Sequence, residues 1–209
     1  LGLFQALANV NDNCSVNNLW MSATNFTCLD DTVQVKLYAN DFSGNIDSCV
    51  SQVIVLDTIN PIITCKDSSI YIGVSGTVII DTSYVLTNVS DNCNVDSVWL
   101  SETNLSCLND TIQITTYALD VNGNIDSCSS QIILIDTIKP TINCRDTTVY
   151  INSSGTAKIN MADVSVSITD QCGLDTVWLS DTLANCTNDT MYVTIYAKDT
   201  QGNIDSCIA

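Results

Sequence analysis

The chain has 209 residues, of which 45% are hydrophobic and 11 are cysteines, so it has enough apolar material for a packed core and is not a disordered protein. Its net charge is −17 and it contains no histidine, which excludes nucleic acids and anionic lipid surfaces as electrostatically favoured partners and leaves cations as small ones. The cysteine content is typical of an oxidising, extracellular environment, secreted or at the cell surface. No apolar run reaches the ~18 residues of a membrane span.

The sequence repeats itself with a period of 79 residues. The string GNIDSC recurs unchanged at 44–49, 123–128 and 202–207. Four cysteine series follow the same step: Cys14, Cys93 and Cys172; Cys28, Cys107 and Cys186; Cys49, Cys128 and Cys207; Cys65 and Cys144. The period predicts the C-terminal part of a first repeat at 1–59, a complete second repeat at 60–138, and a third at 139–209 without its last strand. We expect the chain to be a window from a longer array.

Taken in chain order, the second repeat contains short runs rich in β-forming residues. These runs lie at 70–72, 77–80, 97–100, 111–118 and 131–135, separated by clusters of Gly, Asn, Asp and Ser. Hydrophobic residues alternate with polar ones, as in Ile112 and Ile114, which indicates half-buried strands. The equivalent alternation in the third repeat begins at Met191. The pattern predicts an all-β fold of tandem immunoglobulin-like antiparallel β-sandwich repeats, each small enough to need two disulfides.

The cysteines of one repeat allow three pairings, and the sequence does not choose between them. In an immunoglobulin-like sandwich the first and last strands are parallel neighbours, which favours Cys65–Cys128 and Cys144–Cys207. The remaining cysteines then close short loops: Cys14–Cys28, Cys93–Cys107 and Cys172–Cys186, with Cys49 unpaired. A rival scheme, Cys49–Cys65 and Cys128–Cys144, bridges adjacent repeats. A zinc site or a catalytic thiol is disfavoured, since there is no close cysteine pair and no histidine.

Three motifs recur at fixed places in the repeat: DTIxPxIxC at 57–65 and 136–144, SDNC at 90–93, and YAxDxxGNIDSC at 38–49, 117–128 and 196–207. The chain therefore resembles the hyalin-type repeat, and the additional Cys93 and Cys107 resemble the variant found in long bacterial surface proteins. The resemblance covers the whole chain. It implies an immunoglobulin-like fold and a role in adhesion or as a spacer, and it implies no chemistry.

Acidic residues recur where successive repeats are expected to meet. The aspartate of D-x-x-G-N either forms a hairpin turn or joins other carboxylates as a hard-oxygen ligand of Ca²⁺. Calcium is the candidate cofactor, and none is required. The candidate ligands form two sets: Asp57, Asp91, Asp120 and Asp126; and Asp136, Asp170, Asp199 and Asp205.

Two further features concern surface and core. Trp20, Trp99 and Trp178 follow the loop before a predicted strand, where sandwiches commonly bury a tryptophan, so we expect them in the core. The pattern Asp-Ser/Thr-aliphatic is either ordinary strand composition or an O-glycosylation signal of secreted proteins. It occurs at Thr32, Thr58, Ser97, Thr111, Thr137, Thr176, Thr182 and Thr190.

Two functional hypotheses follow. The first is a structural spacer, stalk or filament segment of an extracellular surface protein, with neighbouring repeats or further copies of itself as partners. The second is an adhesive module whose loops bind glycans or a cell-surface receptor. The first is favoured because the loop motifs hardly vary between repeats. An enzyme is not expected, since every candidate carboxylate recurs in each repeat.

Overall fold

The computed structural model describes residues 7–187 and 190–209, and their fold is all-β. The strands are β1 Val16–Met21, β2 Thr32–Asp41, β3 Ile46–Ile54, β4 Ile62–Cys65, β5 Ser68–Ile72, β6 Thr77–Ile79, β7 Leu86–Ser90, β8 Val95–Leu100, β9 Asn104–Ser106, β10 Thr111–Asp120, β11 Ile125–Asp136, β12 Thr141–Cys144, β13 Thr156–Lys158, β14 Ser165–Thr169, β15 Leu174–Leu179, β16 Leu183–Asn185, β17 Thr194–Asp199 and β18 Ile204–Ile208. A 3₁₀ turn at Thr82–Tyr84 and a one-turn helix, α1, at Met161–Val164 complete the elements.

The strands predicted in the second repeat are confirmed, and equivalent strands recur 79 residues apart. For example, β1, β8 and β15 start at residues 16, 95 and 174. The strand predicted from Met191 begins only at Thr194. Sequence analysis did not predict α1, which begins after Asn160, whose backbone N–H donates to Asp163 Oδ2 at 2.8 Å.

The sheets are small, and most pairings are antiparallel. Three strands pair in the order β1-β2-β3, four in the order β5-β11-β10-β8, and three in the order β15-β17-β18; the two-stranded sheets are β4-β7, β6-β9, β12-β14 and β13-β16. The exception is the pairing of β5 with β11, which is parallel, with Ser68 opposite Ile132 and Ile72 opposite Asp136. An early strand and the last strand of the second repeat are therefore parallel neighbours.

Contacts divide the chain into two compact units. The first contains residues 1–64, 88–98 and 117–127, and the second contains 65–87, 99–116 and 128–209. These units cut through the second repeat, and the repeat boundaries at 59/60 and 138/139 stay predictions. In the first unit, the antiparallel strands β2 and β3 bury Val35 and Leu37.

The second unit contains two apolar clusters. One is built on inward-facing residues of β5, β10 and β11, with Ile114 and Ile132 fully buried, and it includes the sulfur pair Cys107 and Cys172. The other surrounds Val193 and Ile195 at the start of β17. The alternation of apolar residues along β10 and β17 buries one face of each strand, which is the period-2 pattern seen in the sequence.

The expectation that the tryptophans are core residues is wrong. Trp99 and Trp178 keep 40% and 39% of their surface exposed. Trp178 lies opposite Tyr196 in the β15–β17 register, and the two rings stack with centroids 5.2 Å apart. Trp20 stacks on Tyr38 in the same way. A cross-strand tyrosine covers one face of each of these two rings, so the indole is partly shielded without entering the core.

Candidate functional site: two disulfide-bridged junctions

Four disulfides join cysteines of the described chain: Cys28–Cys93, Cys65–Cys128, Cys107–Cys172 and Cys144–Cys207. Their Cα atoms are 5.2 to 6.1 Å apart, the normal span of a disulfide. Cys65–Cys128 and Cys144–Cys207 lie within a repeat and follow from the parallel neighbours β5 and β11. The other two bridges join successive repeats.

The bridges between repeats correct the predicted short loops. Cys93–Cys107 does not form, because Cys93 pairs back to Cys28 and Cys107 pairs forward to Cys172. The predicted Cys14–Cys28 and Cys172–Cys186 bridges are also wrong, and the rival scheme of Cys49–Cys65 and Cys128–Cys144 is wrong too. Cys14, Cys49 and Cys186 are exposed free thiols.

A close approach between loops explains the observed pairing. Gly76 has a φ of +69°, and a Cβ on it would lie 3.1 Å from Gln171 Cβ and 3.4 Å from Cys107 Sγ. Glycine thus lets the end of the second repeat carrying Cys107 meet the loop of the third repeat that carries Cys172. The equivalent Cys186 lies beside Gly155, at the end of the third repeat that corresponds to Cys107. Cys172 and Cys186 are therefore at opposite ends of one repeat and cannot bond.

We call the contact around Cys28–Cys93 the first junction and the contact around Cys107–Cys172 the second junction. Each lies within one compact unit. At both, the hairpin D-x-x-G-N of one repeat contacts the linker that follows the preceding repeat. Asn124 Nδ2 donates to the carbonyl of Asp57 at 3.3 Å in the first junction, and Asn203 Nδ2 donates to the carbonyl of Asp136 at 3.0 Å in the second.

The aspartate of each D-x-x-G-N motif organises its own hairpin. Asp120 Oδ1 accepts from the backbone N–H groups of Asn122 and Asn124, and Oδ2 accepts from the Asn124 amide at 2.7 Å. Asp199 makes the same three bonds in the third repeat. Gly123 has a φ of +96°, which favours glycine. Both carboxylates are therefore consumed by turn formation, the first of the two predicted interpretations.

Hydrogen bonding also sets the protonation of these turns. The Asn45 side chain and backbone hold the pKa of Asp41 below its ordinary value. For Asp120, burial alone would raise the pKa, but the bonds from Asn124, Asn122 and Gly123 outweigh it, so the pKa of Asp120 is also lowered. Both turns are thus built for the ionised carboxylate.

The second junction carries an additional bridge made by Gln201. Its side-chain oxygen accepts from the Asp136 N–H at 2.6 Å, and its side-chain nitrogen donates to the Leu134 carbonyl at 3.0 Å. The first junction is bridged from the other loop instead, where Asn92 Nδ2 donates to Asp57 Oδ1 at 3.2 Å. Sequence analysis missed Asn124, Asn203 and Gln201 as junction residues. The unvarying Asn after Gly in all three repeats was the available signal, whereas Gln201 left none.

The structure divides the predicted calcium ligands. It brings together Asp57 with Asp91, and Asp136 with Asp170, with ligand atoms within 4.8 Å of one another and of a disulfide sulfur. It keeps Asp120 and Asp199 in their hairpins. Asp126 and Asp205 lie outside both clusters; Asp126 is exposed and accepts from its neighbour Ser127.

The predicted glycosylation residues are mostly accessible. Ser97 is half-buried, and the other candidates are exposed: Thr32, Thr58, Thr111, Thr137, Thr176, Thr182 and Thr190. Among the described helices, none is long and apolar enough to cross a membrane.

No protein-family model and no curated protein matches the sequence. Solved structures with a similar fold include human CDH23 EC21-23, with 16% identity and a TM-score of 0.36, covering 85% of this chain and 73% of that one. Extracellular cadherin domains 1-5 of Protocadherin Gamma B2 have 12% identity and a TM-score of 0.37, covering 93% and 52%. Domains 1-4 of Protocadherin Gamma B7 have 10% identity and a TM-score of 0.33, covering 93% and 66%. These values assign the chain to no family.

Proposed function

We propose that the chain is a segment of a non-enzymatic extracellular spacer or stalk whose repeats are joined covalently so that the array resists extension. The observation that carries this proposal is the pair of disulfides between repeats, Cys28–Cys93 and Cys107–Cys172. A peptide linker alone would let neighbouring repeats separate under tension. A bridge at each junction adds a second covalent connection.

The bridges create a short covalent route along the chain. From Cys28 the route crosses to Cys93, follows 14 residues to Cys107, and crosses to Cys172. At ~3.5 Å per extended residue, 14 residues span about 50 Å, whereas the 79 residues from Cys28 to Cys107 would span about 280 Å. Tension therefore passes mainly through the segment 93–107 and the bridges, and most of each repeat is spared from stretching.

The use of the loops favours a spacer over an adhesive module. The D-x-x-G-N hairpins of the second and third repeats donate to the preceding linker through Asn124 and Asn203. The loop with Cys93 is bridged to the preceding repeat. The loops that vary least in sequence are thus engaged at the junctions. The carboxylates Asp120 and Asp199 are held by turn amides, which supports a structural rather than a catalytic use.

The four disulfides point to an oxidising environment, extracellular or at the cell surface. The exposure of most Asp-Ser/Thr-aliphatic sites supports the further proposal that the surface carries O-linked sugar. Dense surface glycans and a charge of −17 would both keep such an array extended and soluble.

Single-molecule pulling of the full chain from its termini tests the covalent route. The background carries alanine at the free thiols Cys14, Cys49 and Cys186 to prevent reshuffling. In Cys28→Ala/Cys93→Ala the shortest route runs 37 residues from Cys28 to Cys65, crosses to Cys128, and returns 21 residues to Cys107. The route lengthens by 44 residues, so we expect the maximal extension to rise by about 150 Å.

The matched control is Cys65→Ala/Cys128→Ala, which removes one disulfide of nearly equal loop length, 63 residues instead of 65. That bridge is not on the short route, so the maximal extension should not change. Equal lengthening in both variants, or none in Cys28→Ala/Cys93→Ala, would overturn the load-bearing role. Peptide mapping of the unreduced parent should recover Cys28 joined to Cys93.

A further inference from the structure

The second junction contains a buried carboxylate oxygen that lacks a hydrogen-bond partner. Asp136 is only 4% exposed, and its Oδ1 accepts from the Ile138 N–H at 2.8 Å. Its Oδ2 is buried and has no partner among the described residues. An ionised oxygen buried in this way is unfavourable unless a positive charge or a donor compensates it.

The Asp136 carboxylate faces a second one. Asp170 offers an oxygen within 4.8 Å of it, while Asp170 Oδ1 accepts from the Cys172 N–H at 2.7 Å. Both carboxylates line a small cavity of about 130 Å³. Since one water occupies ~30 Å³, this space has room for a cation and a few waters. Cys172 Sγ is close but belongs to a disulfide, so only hard oxygen ligands are offered.

The same arrangement recurs in the first junction. Asp57 Oδ2 and Asp91 Oδ1 are both buried and have no partner among the described residues. The other oxygen of each is in use, since Asp57 Oδ1 accepts from the Ile59 N–H and Asp91 Oδ2 from the Cys93 N–H. In each pair, therefore, a turn fixes the carboxylates and leaves at least one buried oxygen unpaired. The repetition at two places makes an accident of packing a poor explanation.

No basic side chain of the described chain neutralises these oxygens. Lys139 lines the second cavity but forms no ion pair with either carboxylate. The position equivalent to Lys139 in the first junction is Asn60. The single ion pair among the described residues, Lys198 with Asp175, lies elsewhere. A positive charge must therefore come from outside the chain.

We propose that each junction binds one divalent cation: Asp57 and Asp91 supply carboxylate ligands in the first, Asp136 and Asp170 in the second, and water completes the shell. Ca²⁺ is the cation that fits best, because it accepts six to eight oxygen ligands in irregular geometry, whereas Mg²⁺ demands a near-ideal octahedron. The site is separate from the proposed spacer function, which the disulfides can serve without a metal.

Calorimetric titration of the chelator-treated full chain with CaCl₂ and with MgCl₂ tests the proposal. We expect two Ca²⁺ sites per chain with dissociation constants of about 10⁻⁴–10⁻³ M, the range of extracellular modules, and weaker binding of Mg²⁺. Asp91→Asn and Asp170→Asn should each remove one site, and the double variant both. The matched control, Asp126→Asn/Asp205→Asn, removes the same charge outside the clusters and should keep two sites.

Thermal unfolding supplies a readout that does not depend on binding heats. Ca²⁺ should raise the melting temperature of the parent, because a ligand of the native state stabilises it by mass action. In chelator, Asp91→Asn/Asp170→Asn should melt at or above the parent temperature, since the like-charge repulsion is gone, and Ca²⁺ should not shift it. If that variant does not fold, Asp57→Asn/Asp136→Asn replaces it. No Ca²⁺ uptake by the parent at 10 mM, or two sites retained in either double variant, would overturn the proposal.

Discussion

The two junctions use the same backbone devices but different side-chain bridges. Both have a disulfide closing 65 residues and an asparagine that donates to a linker carbonyl. In the second junction Gln201 reaches back to the preceding repeat, whereas the equivalent Asn122 donates its own N–H to Asp120 and has no described bond across the first junction. The extra methylene of glutamine accounts for the reach. The repeated motif therefore sets the junction, and a single variable position adjusts how tightly it closes.

Burial follows the same difference. Asp136, held by Gln201 and Asn203, is buried, whereas the equivalent Asp57 is half-buried. Cys107 and Cys172 belong to an apolar cluster with Leu105, whereas Cys28 is only half-buried. We infer that the second junction is the more stable of the two, and three experiments test this comparison.

The largest effect is expected from removing the bridges. Cys28→Ala/Cys93→Ala and Cys107→Ala/Cys172→Ala each open a 65-residue loop, which chain entropy values at about 4 kcal/mol of unfolding free energy. The second pair also leaves a gap in the core, so its loss should be greater by about 1–2 kcal/mol. Denaturant unfolding of the full chain without reductant measures both. Equal midpoints in the two variants would contradict the difference in packing.

The sequence predicted part of this arrangement. Alternation along 111–118 located β10, and the parallel placement of β5 and β11 accounts for Cys65–Cys128. The bridges between repeats could not be predicted, because a 14-residue loop within a repeat closes as readily on paper as a 65-residue loop between repeats. What decides is which end of the repeat each cysteine occupies, and that depends on how strands pack rather than on spacing.

The aspartates show a second limit of the sequence. All eight candidates recur with the period, so repetition could not distinguish turn formers from paired carboxylates. The distinction lies in which oxygen atoms the local backbone already uses, as Asp120 shows with both oxygens bonded in its own hairpin. Tryptophan was misjudged for a similar reason, since the partner of Trp178 is a tyrosine on the neighbouring strand rather than a core residue.

A smaller effect is expected from shortening the bridge of the second junction. Gln201→Asn should lose the bonds to the Asp136 N–H and the Leu134 carbonyl, which costs about 1–3 kcal/mol because both groups lie at a partly buried site. Amide hydrogen exchange at Asp136 should accelerate accordingly. The reciprocal Asn122→Gln adds the longer side chain to the first junction and should not destabilise it. Unchanged exchange at Asp136 in Gln201→Asn would show that the bond does not protect this linker.

The smallest effect is expected from acid, and it compares a hairpin at a junction with one that is not. The folded-state pKa of Asp120 and of Asp41 is lowered, so the unfolded chain binds more protons at moderately acidic pH. The stability that each carboxylate contributes is therefore present above the unfolded pKa of about 3.9 and is lost as the pH falls through the lower folded value. Melting temperatures measured from pH 6 to pH 2.5 should fall less steeply for Asp120→Asn and Asp41→Asn than for the parent. In Asp120→Asn the melting temperature at pH 6 should also drop further than in Asp41→Asn, because Asp120 holds the Asn124 amide that donates to the Asp57 carbonyl. A parent slope retained in both variants would mean that other carboxylates control the acid transition, and equal losses at pH 6 would mean that Asn124 does not connect the hairpin to the linker.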